Sequence, residues 1–135
     1  MKAGLLAEPE NAALNYFAGL ALNLMQRYGE AIPYLDRAAK ANPDDIPGRN
    51  EQAWAYFATG RGGEAVAIYR RIMEKHPKEI TTCMNLALVY ERTQKELGQE
   101  QWRSCKQIYD SDPAAFRDFH DPIMQGLLRT SAAEP

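Results

Sequence analysis

The chain has 135 residues, of which 45% are hydrophobic and 25% are charged, and its formal net charge is −2 at pH 7. This composition is ordinary for a folded globular protein, and it excludes a mainly disordered chain. The near balance of 16 basic and 18 acidic residues argues against a nucleic-acid-binding protein and against attachment to a membrane surface.

Targeting and cysteine signals are weak. No apolar stretch approaches the ~20 residues that a membrane-spanning helix needs, and the apolar run from Ala3 to Ala7 is too short for a secretory signal. We therefore expect a soluble, cytoplasmic protein without membrane insertion, although a fragment of a longer protein would have lost any signal. Two cysteines, Cys83 and Cys105, do not make a disulfide framework or a metal site.

Three prolines, Pro9, Pro43 and Pro77, are spaced 34 residues apart. A proline ends a helix at or before the preceding residue, so each one marks a helix stop. Other positions recur with the same period: Gly19, Ala53 and Ala87; Leu22, Tyr56 and Tyr90; Ala31 and Ala65; Leu35 and Tyr69; Ala38 and Ile72. A fixed period of this length indicates an array of stacked helical units.

The first unit is predicted at about 12–45, as a helix from Asn11 to Met25 followed by a helix from Tyr28 to Ala41. Asn11 is a suitable N-cap, because its side chain can accept a hydrogen bond from the first turn. Residues 1–8 resemble only the last two turns of a second helix that Pro9 would close. Either the chain is cut from a longer array, or a short partial helix caps its N-terminus.

The second unit is predicted at about 46–79, with helices from Pro47 to Thr59 and from Gly62 to His76. Pro47 suits the start of a helix, and the glycines between Thr59 and Gly63 allow a tight reversal. The small residue at Gly19, Ala53 and Ala87 lets a partner helix approach closely.

The third unit, predicted at about 80–113, is less regular. It keeps Leu86, Ala87 and Tyr90, but its second helix is degenerate. The place expected to hold alanine falls on Gln99, or on Gln101 if two residues are inserted. Pro113 lies two residues beyond its expected position, so the register from residue 95 to residue 112 stays open.

A capping helix is predicted from Ala114 to Arg129, with a break near Asp121 and Pro122. Repeat arrays need such caps, because a terminal unit otherwise leaves an apolar face bare. Five apolar residues are expected to cover the third unit: Phe116, Phe119, Ile123, Leu127 and Leu128. Residues 130–135 are predicted to form a flexible tail.

These units resemble tetratricopeptide repeats over about Ala12 to Tyr90. The second unit carries the likeness best, with Ala53, Tyr56, Gly60, Ala65, Tyr69 and Pro77 in the family's order. The tryptophan often found early in the first helix is absent, and its three places hold Asn15, Arg49 and Cys83. The resemblance implies an all-α, right-handed solenoid of three helix pairs within a single domain of residues 1–129.

The sequence contains no convincing catalytic set. His76 and His120 lie at helix ends without a cysteine or second histidine at metal-ligand spacing. Gly60, Gly62 and Gly63 follow no strand, so they do not form a phosphate-binding loop. Because acid, base and nucleophile do not converge, we predict no enzyme activity, no cofactor and no metal site.

In the family that the chain resembles, the first helices of the units line a concave groove. The inward positions in the first unit are Ala13, Tyr16, Phe17, Leu20, Asn23 and Leu24. The second unit contributes Pro47, Asn50, Glu51, Trp54, Phe57 and Ala58, and the third contributes Thr81, Met84, Asn85, Leu88, Glu91 and Arg92.

This surface is rich in apolar and aromatic side chains, which is typical of a partner-binding site. The predicted contact residues are Tyr16, Phe17, Leu20, Leu24, Asn50, Trp54, Phe57, Met84, Asn85, Leu88 and Arg92. Two alternatives remain: some of these residues pack against the neighbouring helix or the N-terminal cap, or the C-terminal helix folds back into the groove.

The resemblance also bears on the kind of partner. Some family members hold the C-terminal carboxylate of chaperones through lysine, asparagine and arginine side chains. Here the corresponding places hold Tyr16, Leu20, Asn50, Trp54, Thr81 and Asn85, of which only Asn85 resembles a clamp residue.

The main hypothesis is therefore a non-catalytic interaction module that binds an apolar peptide or helix of another protein. Asn50, Asn85 and Arg92 would pair with the backbone or acidic groups of that partner. One alternative is a scaffold that associates with itself through its ends, as a homo-oligomer. Another, from architecture alone, is a secretion-type chaperone of hydrophobic partners.

Overall fold

The computed structural model describes residues 11–132, and every described regular element is helical. The helices are α1 (Ala12–Leu24), α2 (Tyr28–Ala41), α3 (Ile46–Ala58), α4 (Gly62–Lys75), α5 (Ile80–Thr93), α6 (Lys95–Ser111) and α7 (His120–Ala132), with a 3₁₀ turn at Arg117–Phe119 before α7. The all-α prediction is confirmed. The partial helix predicted for residues 1–8 lies outside the described residues.

Helix starts follow the capping signals of the sequence. Asn11 is the N-cap of α1, where its Oδ1 accepts a hydrogen bond from the Leu14 amide at 3.0 Å. Asp45 caps α3 in the same way through the Gly48 amide, at 3.1 Å, and Pro47 lies in the first turn. Gly60 lies in the middle of the turn between α3 and α4 and has a φ of 85°, a conformation that favours glycine.

The chain divides into two compact units, Met1–Ile68 and Tyr69–Pro135. In the first unit, Ala31 and Leu35 of α2 pack with Ala55 of α3, and Leu22, Tyr28 and Ile32 surround them. Gly19 faces Leu35 so closely that an added Cβ would overlap the leucine side chain. This contact explains why a small residue is needed at the Gly19 position.

The place expected to hold tryptophan is filled differently in each repeat. Asn15 is fully buried, donates to the Asn11 carbonyl and accepts from the Arg37 guanidinium at 3.0 Å. Arg49 donates to Gln52 at 2.8 Å. Cys83, in contrast, lies in an apolar cluster of the second unit. The three repeats therefore share the helix-pair arrangement but differ in the side-chain contacts at this position.

One polar link joins α2 to α3. Asp36 Oδ1 accepts hydrogen bonds from the Tyr56 hydroxyl at 2.8 Å and from Gln52 Nε2 at 2.9 Å. Burial and the contact with this carboxylate raise the pKa of Tyr56 to about 12. These hydrogen bonds join the two repeats, because Asp36 belongs to the first repeat and both of its donors belong to the second.

The second unit has a larger core, built by α5, α6 and α7. Its buried members are Ile80, Cys83, Ala87, Trp102, Cys105, Ile108 and Ile123. Cys83 and Cys105 are both unoxidised and buried. A hydrogen bond with Cys105 and another with Gln101 lower the pKa of Cys83, whereas burial raises the pKa of Cys105.

The register of α6 differs from both predicted alternatives. The residue at the close contact is Gly98, not Gln99 or Gln101, because an added Cβ there would lie 2.9 Å from the backbone nitrogen of Glu91. Trp102 and Cys105 continue this register into the core. Relative to Ala65, Tyr69 and Ile72, the spacing is 33 residues, so the turn before α6 is one residue short.

The C-terminal helix also differs from its prediction. It begins at His120 rather than Ala114, contains Pro122 in its first turn and runs to Ala132. A proline is tolerated there because the first-turn amides have no partner within the helix. The tail expected from residue 130 is wrong for Thr130–Ala132, since these residues are helical and Thr130 is buried.

The expected capping contacts are confirmed for four of the five apolar residues. Ile123 belongs to the buried cluster, and Phe116, Phe119 and Leu127 pack against it. Leu128, however, is 70% exposed and is not part of this contact. Gly126 allows the helix to lie directly on the Trp102 ring, where an added Cβ would overlap the indole.

Candidate functional site

The predicted contact residues of the first compact unit, Met1–Ile68, lie on α1 and α3. We call this set the aromatic face: Tyr16, Phe17, Leu20, Leu24, Asn50, Trp54 and Phe57. Phe17 is 55% exposed and Leu24 is 77% exposed, while the other five are partly buried. The exposed apolar side chains are the ones whose burial by a partner would be favourable.

Two edge-to-face aromatic pairs give this face its shape. The ring centroids of Tyr16 and Phe17 are 5.4 Å apart on α1, and those of Trp54 and Phe57 are 5.3 Å apart on α3. Such pairs hold large apolar surfaces in a fixed orientation, which lowers the entropy lost when a partner binds.

Asn23 and Gly48 bring α1 and α3 together beneath this face. Asn23 Nδ2 donates to the Glu51 carbonyl at 3.1 Å. At Gly48, an added Cβ would lie 3.6 Å from the Tyr16 ring, so the ring rests over the start of α3. The two helices thus present their inward residues on adjoining surfaces.

An open cavity of about 400 Å³ adjoins the aromatic face near the starts of α1 and α3. It is lined by Ala12, Ala13, Tyr16, Phe17, Ala38, Asn42, Asp45 and Pro47. The repeat phase places Ala13, Tyr16, Phe17 and Pro47 here, but it does not identify Asn42 or Asp45. Asp45 could have been identified from its N-cap pattern, because that pattern shows where α3 begins, and the cavity lies at this start.

The electrostatics of the face are acidic. Glu51 is half-buried, and burial raises its pKa while a hydrogen bond with Asn23 lowers it. Burial, followed by the charges of Glu51 and Asp45, raises the pKa of Tyr16. In both cases burial is the largest cause of the raised pKa.

The predicted contact residues of the second compact unit, Tyr69–Pro135, lie on α5. Met84, Asn85 and Leu88 are partly buried, and Arg92 is exposed. Met84 and Leu88 pack against the buried cluster, so the alternative that some inward residues pack within the fold applies to them.

Glu91, another inward position, is engaged within the second unit. It accepts hydrogen bonds from the Trp102 indole and from Arg129 Nη2, the latter at 3.0 Å. Because both donors come from α6 and α7, this carboxylate fixes the capping helix on α5.

Two further properties concern the described residues alone. Between residues 11 and 132, no group of three or more histidine, cysteine, aspartate or glutamate side chains could hold a metal ion. None of the described helices is long and apolar enough to cross a membrane.

Comparison with known proteins shows a resemblance to one family. A family model described as tetratricopeptide repeat matches residues 22–81. A curated relative, the phagocyte signaling-impaired protein of Aedes aegypti, is 32% identical over 66 residues. That match covers 49% of this chain but only 7% of the length of the relative.

Solved structures with the same fold include the TPR2B domain of yeast Sti1 in complex with pHsp70. It has a TM-score of 0.81 at 16% identity, covering 91% of this chain and 98% of that one. A second Sti1 structure, of the TPR2AB domain in complex with pHSP90, has a TM-score of 0.80 at 19% identity. It covers 96% of this chain and 51% of that one.

A MamA structure labelled MSR-1 also matches, with a TM-score of 0.74 at 22% identity, covering 82% of this chain and 64% of that one. At these identities the structures show the fold. Together with the residues matched by the family model, they confirm what the 34-residue period predicts. Residues 22–81 match the tetratricopeptide repeat family model, and the described residues have the fold of tetratricopeptide repeat domains.

Proposed function

We propose that this chain is a non-catalytic protein–protein interaction module that binds an apolar peptide or helix of a partner on its aromatic face. The observation that carries the proposal is the exposure of Phe17 and Leu24 beside the half-buried Tyr16 and Trp54. Large aromatic side chains ringed by partly buried neighbours are the usual anchors of protein interfaces.

The fold neighbours support a binding role in general terms. The two Sti1 structures are complexes, so domains of this fold hold other proteins or parts of them. The chemistry of the partner is argued from this chain alone. The aromatic face presents rings, leucines and one amide, and these side chains fit an apolar segment better than an acidic tail.

The test uses two short fluorescein-labelled peptides of equal length and charge, one rich in leucine and alanine and one rich in serine and glutamine. Fluorescence anisotropy should show binding of the apolar peptide only. Phe17→Ser combined with Trp54→Ala should weaken that binding by about tenfold or more, since each side chain is an anchor.

The matched control is Leu128→Ser, which removes an exposed apolar side chain of α7 that is not among the residues of the aromatic face. This variant should bind the apolar peptide as the unaltered chain does. Equal weakening by Leu128→Ser, or no effect of the double variant, would contradict the assignment of the face.

Self-association is the second candidate, and the exposed side of α7 favours it. Leu128 is 70% exposed and Met124 is 41% exposed on that helix. Light scattering over a range of concentrations should then show an oligomer that Leu128→Ser dissociates. A monomer at every concentration would rule out this candidate.

A further inference from the structure

Within residues 11–132, no ion pair balances the acidic groups around the aromatic face. Among the described residues of the first unit, the cations are Arg27, Arg37, Lys40, Arg49 and Arg61. Arg27 pairs with Glu30 and Arg61 pairs with Glu64, both near the starts of second helices. Arg37 and Arg49 bind the buried Asn15 and Gln52. No described ion pair includes Glu51 or Asp45.

Glu51 is therefore a half-buried carboxylate without a described cationic partner. It lies half-buried at an inward position of α3, and no described ion pair includes its carboxylate. A carboxylate that loses hydration without gaining a cation is destabilised. A positive group supplied from outside would restore the lost interaction.

Asn23 adds a second, independent observation. Its side chain is 7% exposed, and its Nδ2 donates to the Glu51 carbonyl. Its Oδ1 is buried and has no hydrogen-bond partner among the described residues. Buried acceptors are nearly always satisfied, so this amide oxygen adds a second polar group without a described partner near Glu51.

The cavity near the starts of α1 and α3 shares Tyr16 and Phe17 with the aromatic face and combines apolar and polar lining. Alanine, proline and aromatic side chains form much of its lining, and Asp45 and Asn42 contribute acceptors. The face of the Tyr16 ring adjoins the same acidic groups. Carboxylate, amide oxygen and aromatic ring are the three groups that bind ammonium and guanidinium ions most readily.

Resting on the proposed function, we infer that the segment bound on the aromatic face is apolar and basic. It carries a lysine or arginine whose cation lies beside the Glu51 carboxylate and the Tyr16 ring, while its apolar residues cover Phe17 and Leu24. Charge complementarity thus selects the partner, and the acidic face disfavours acidic tails.

The experiment compares three fluorescein-labelled peptides that share the same apolar residues and differ at two positions, which hold lysine, glutamine or glutamate. Affinity should fall in that order, with the lysine peptide binding about tenfold or more tightly than the glutamate peptide at low salt. The difference should shrink as salt is added, because these charges are partly exposed.

The near-isosteric Glu51→Gln should abolish the preference for the lysine peptide, and Glu51→Lys should reverse it. Glu30→Gln is the matched control, because Glu30 is an exposed carboxylate of the same unit that pairs with Arg27 on α2. It should leave the order of affinities unchanged, and circular dichroism should show that all variants are folded.

The outcomes separate the two proposals. If none of the three peptides binds, the proposed function fails, and this inference fails with it. If all three bind equally, or if Glu51→Gln keeps the original order, only the charge inference is overturned. A dimer that Phe17→Ser dissociates would show a second copy on this face and would overturn the inference as well.

Discussion

Glycine residues set the closest helix approaches in the second unit. Gly98 lies against the backbone of Glu91, and Gly126 lies against the Trp102 ring. Trp102 is almost fully buried, and its indole nitrogen donates to Glu91. Because the ring is held by both a hydrogen bond and packing, it cannot move aside for an added methyl group.

Gly126→Ala should therefore destabilise the chain, by about 1–3 kcal/mol, through overlap with Trp102. Urea unfolding followed by circular dichroism measures this change in the free energy of unfolding. The control is Gly63→Ala in α4, where an added Cβ meets nothing within 4 Å. It should leave stability unchanged or raise it by less than about 1 kcal/mol. Equal effects of the two substitutions would contradict this view of the α6–α7 contact.

At the scale of elements, the contact of α2 with α3 depends on a carboxylate as well as on apolar packing. Asp36 binds both Tyr56 and Gln52, and Leu35, the neighbour of Asp36 in sequence, packs with Ala55. The polar and apolar contacts lie side by side, so they should be lost together when the helices separate.

The Tyr56 contact makes stability depend on pH in the alkaline range. Its pKa is raised from 10.0 to about 12 in the folded chain, because the neutral hydroxyl is buried and donates to Asp36. The resulting stabilisation is complete below pH 10 and should be lost as the pH rises towards 12. In Tyr56→Phe, the free energy of unfolding should fall less steeply over this range.

Tyrosinate absorbance supplies an independent measurement for the same residue. The difference between the titrations of the unaltered chain and of Tyr56→Phe should give one tyrosine that ionises well above pH 10. Ionisation of that tyrosine near pH 10 in the folded chain would contradict the role assigned to the hydrogen bond. Tyr34→Phe, which keeps Asp36 and both of its partners, serves as the control.

The helices differ in how much of them could be predicted from sequence. The bounds of α2 are those predicted, and α1, α3 and α4 differ by a residue at one or both ends, because caps and prolines act locally. Gly98 was missed because its importance comes from the backbone of Glu91, a contact across a turn. The start of α7 was missed for a similar reason, since residues 114–119 form a turn and a 3₁₀ segment whose phenylalanines pack on the core.

The candidate site was predictable only in part. The repeat phase identifies the aromatic face, because the inward positions of α1 and α3 follow from the 34-residue period. It does not distinguish Phe17, which is exposed, from Met84, which packs on a core. The acidic character of the face depends on the burial of Glu51 and on the position of Asp45 at the cavity, and neither can be obtained from spacing.

At the scale of the whole molecule, each compact unit has its own buried cluster. In repeat proteins, stability is close to a sum of the terms of individual repeats and of their neighbours. A destabilising substitution in one compact unit should therefore lower the stability mainly of that unit. In a protein with one central core, the same kind of substitution would destabilise the whole fold.

Hydrogen exchange read by mass spectrometry tests this expectation. Leu35→Ala removes a fully buried side chain and should raise exchange in α1–α3 more than in α5–α7. Gly126→Ala should produce the opposite distribution. If both substitutions raised exchange equally along the whole chain, the molecule would unfold as one cooperative block, and the expectation would be wrong.

The Asp36 link also determines the order in which the repeats can be joined. Copying the second repeat would place Arg70, 34 residues after Asp36, opposite the copied Tyr56 and Gln52. The acceptor of two hydrogen bonds would then be replaced by a cation that can accept neither of them. The second repeat is therefore suited to follow the first and not to follow itself, so a longer array cannot be built from this chain by simple duplication.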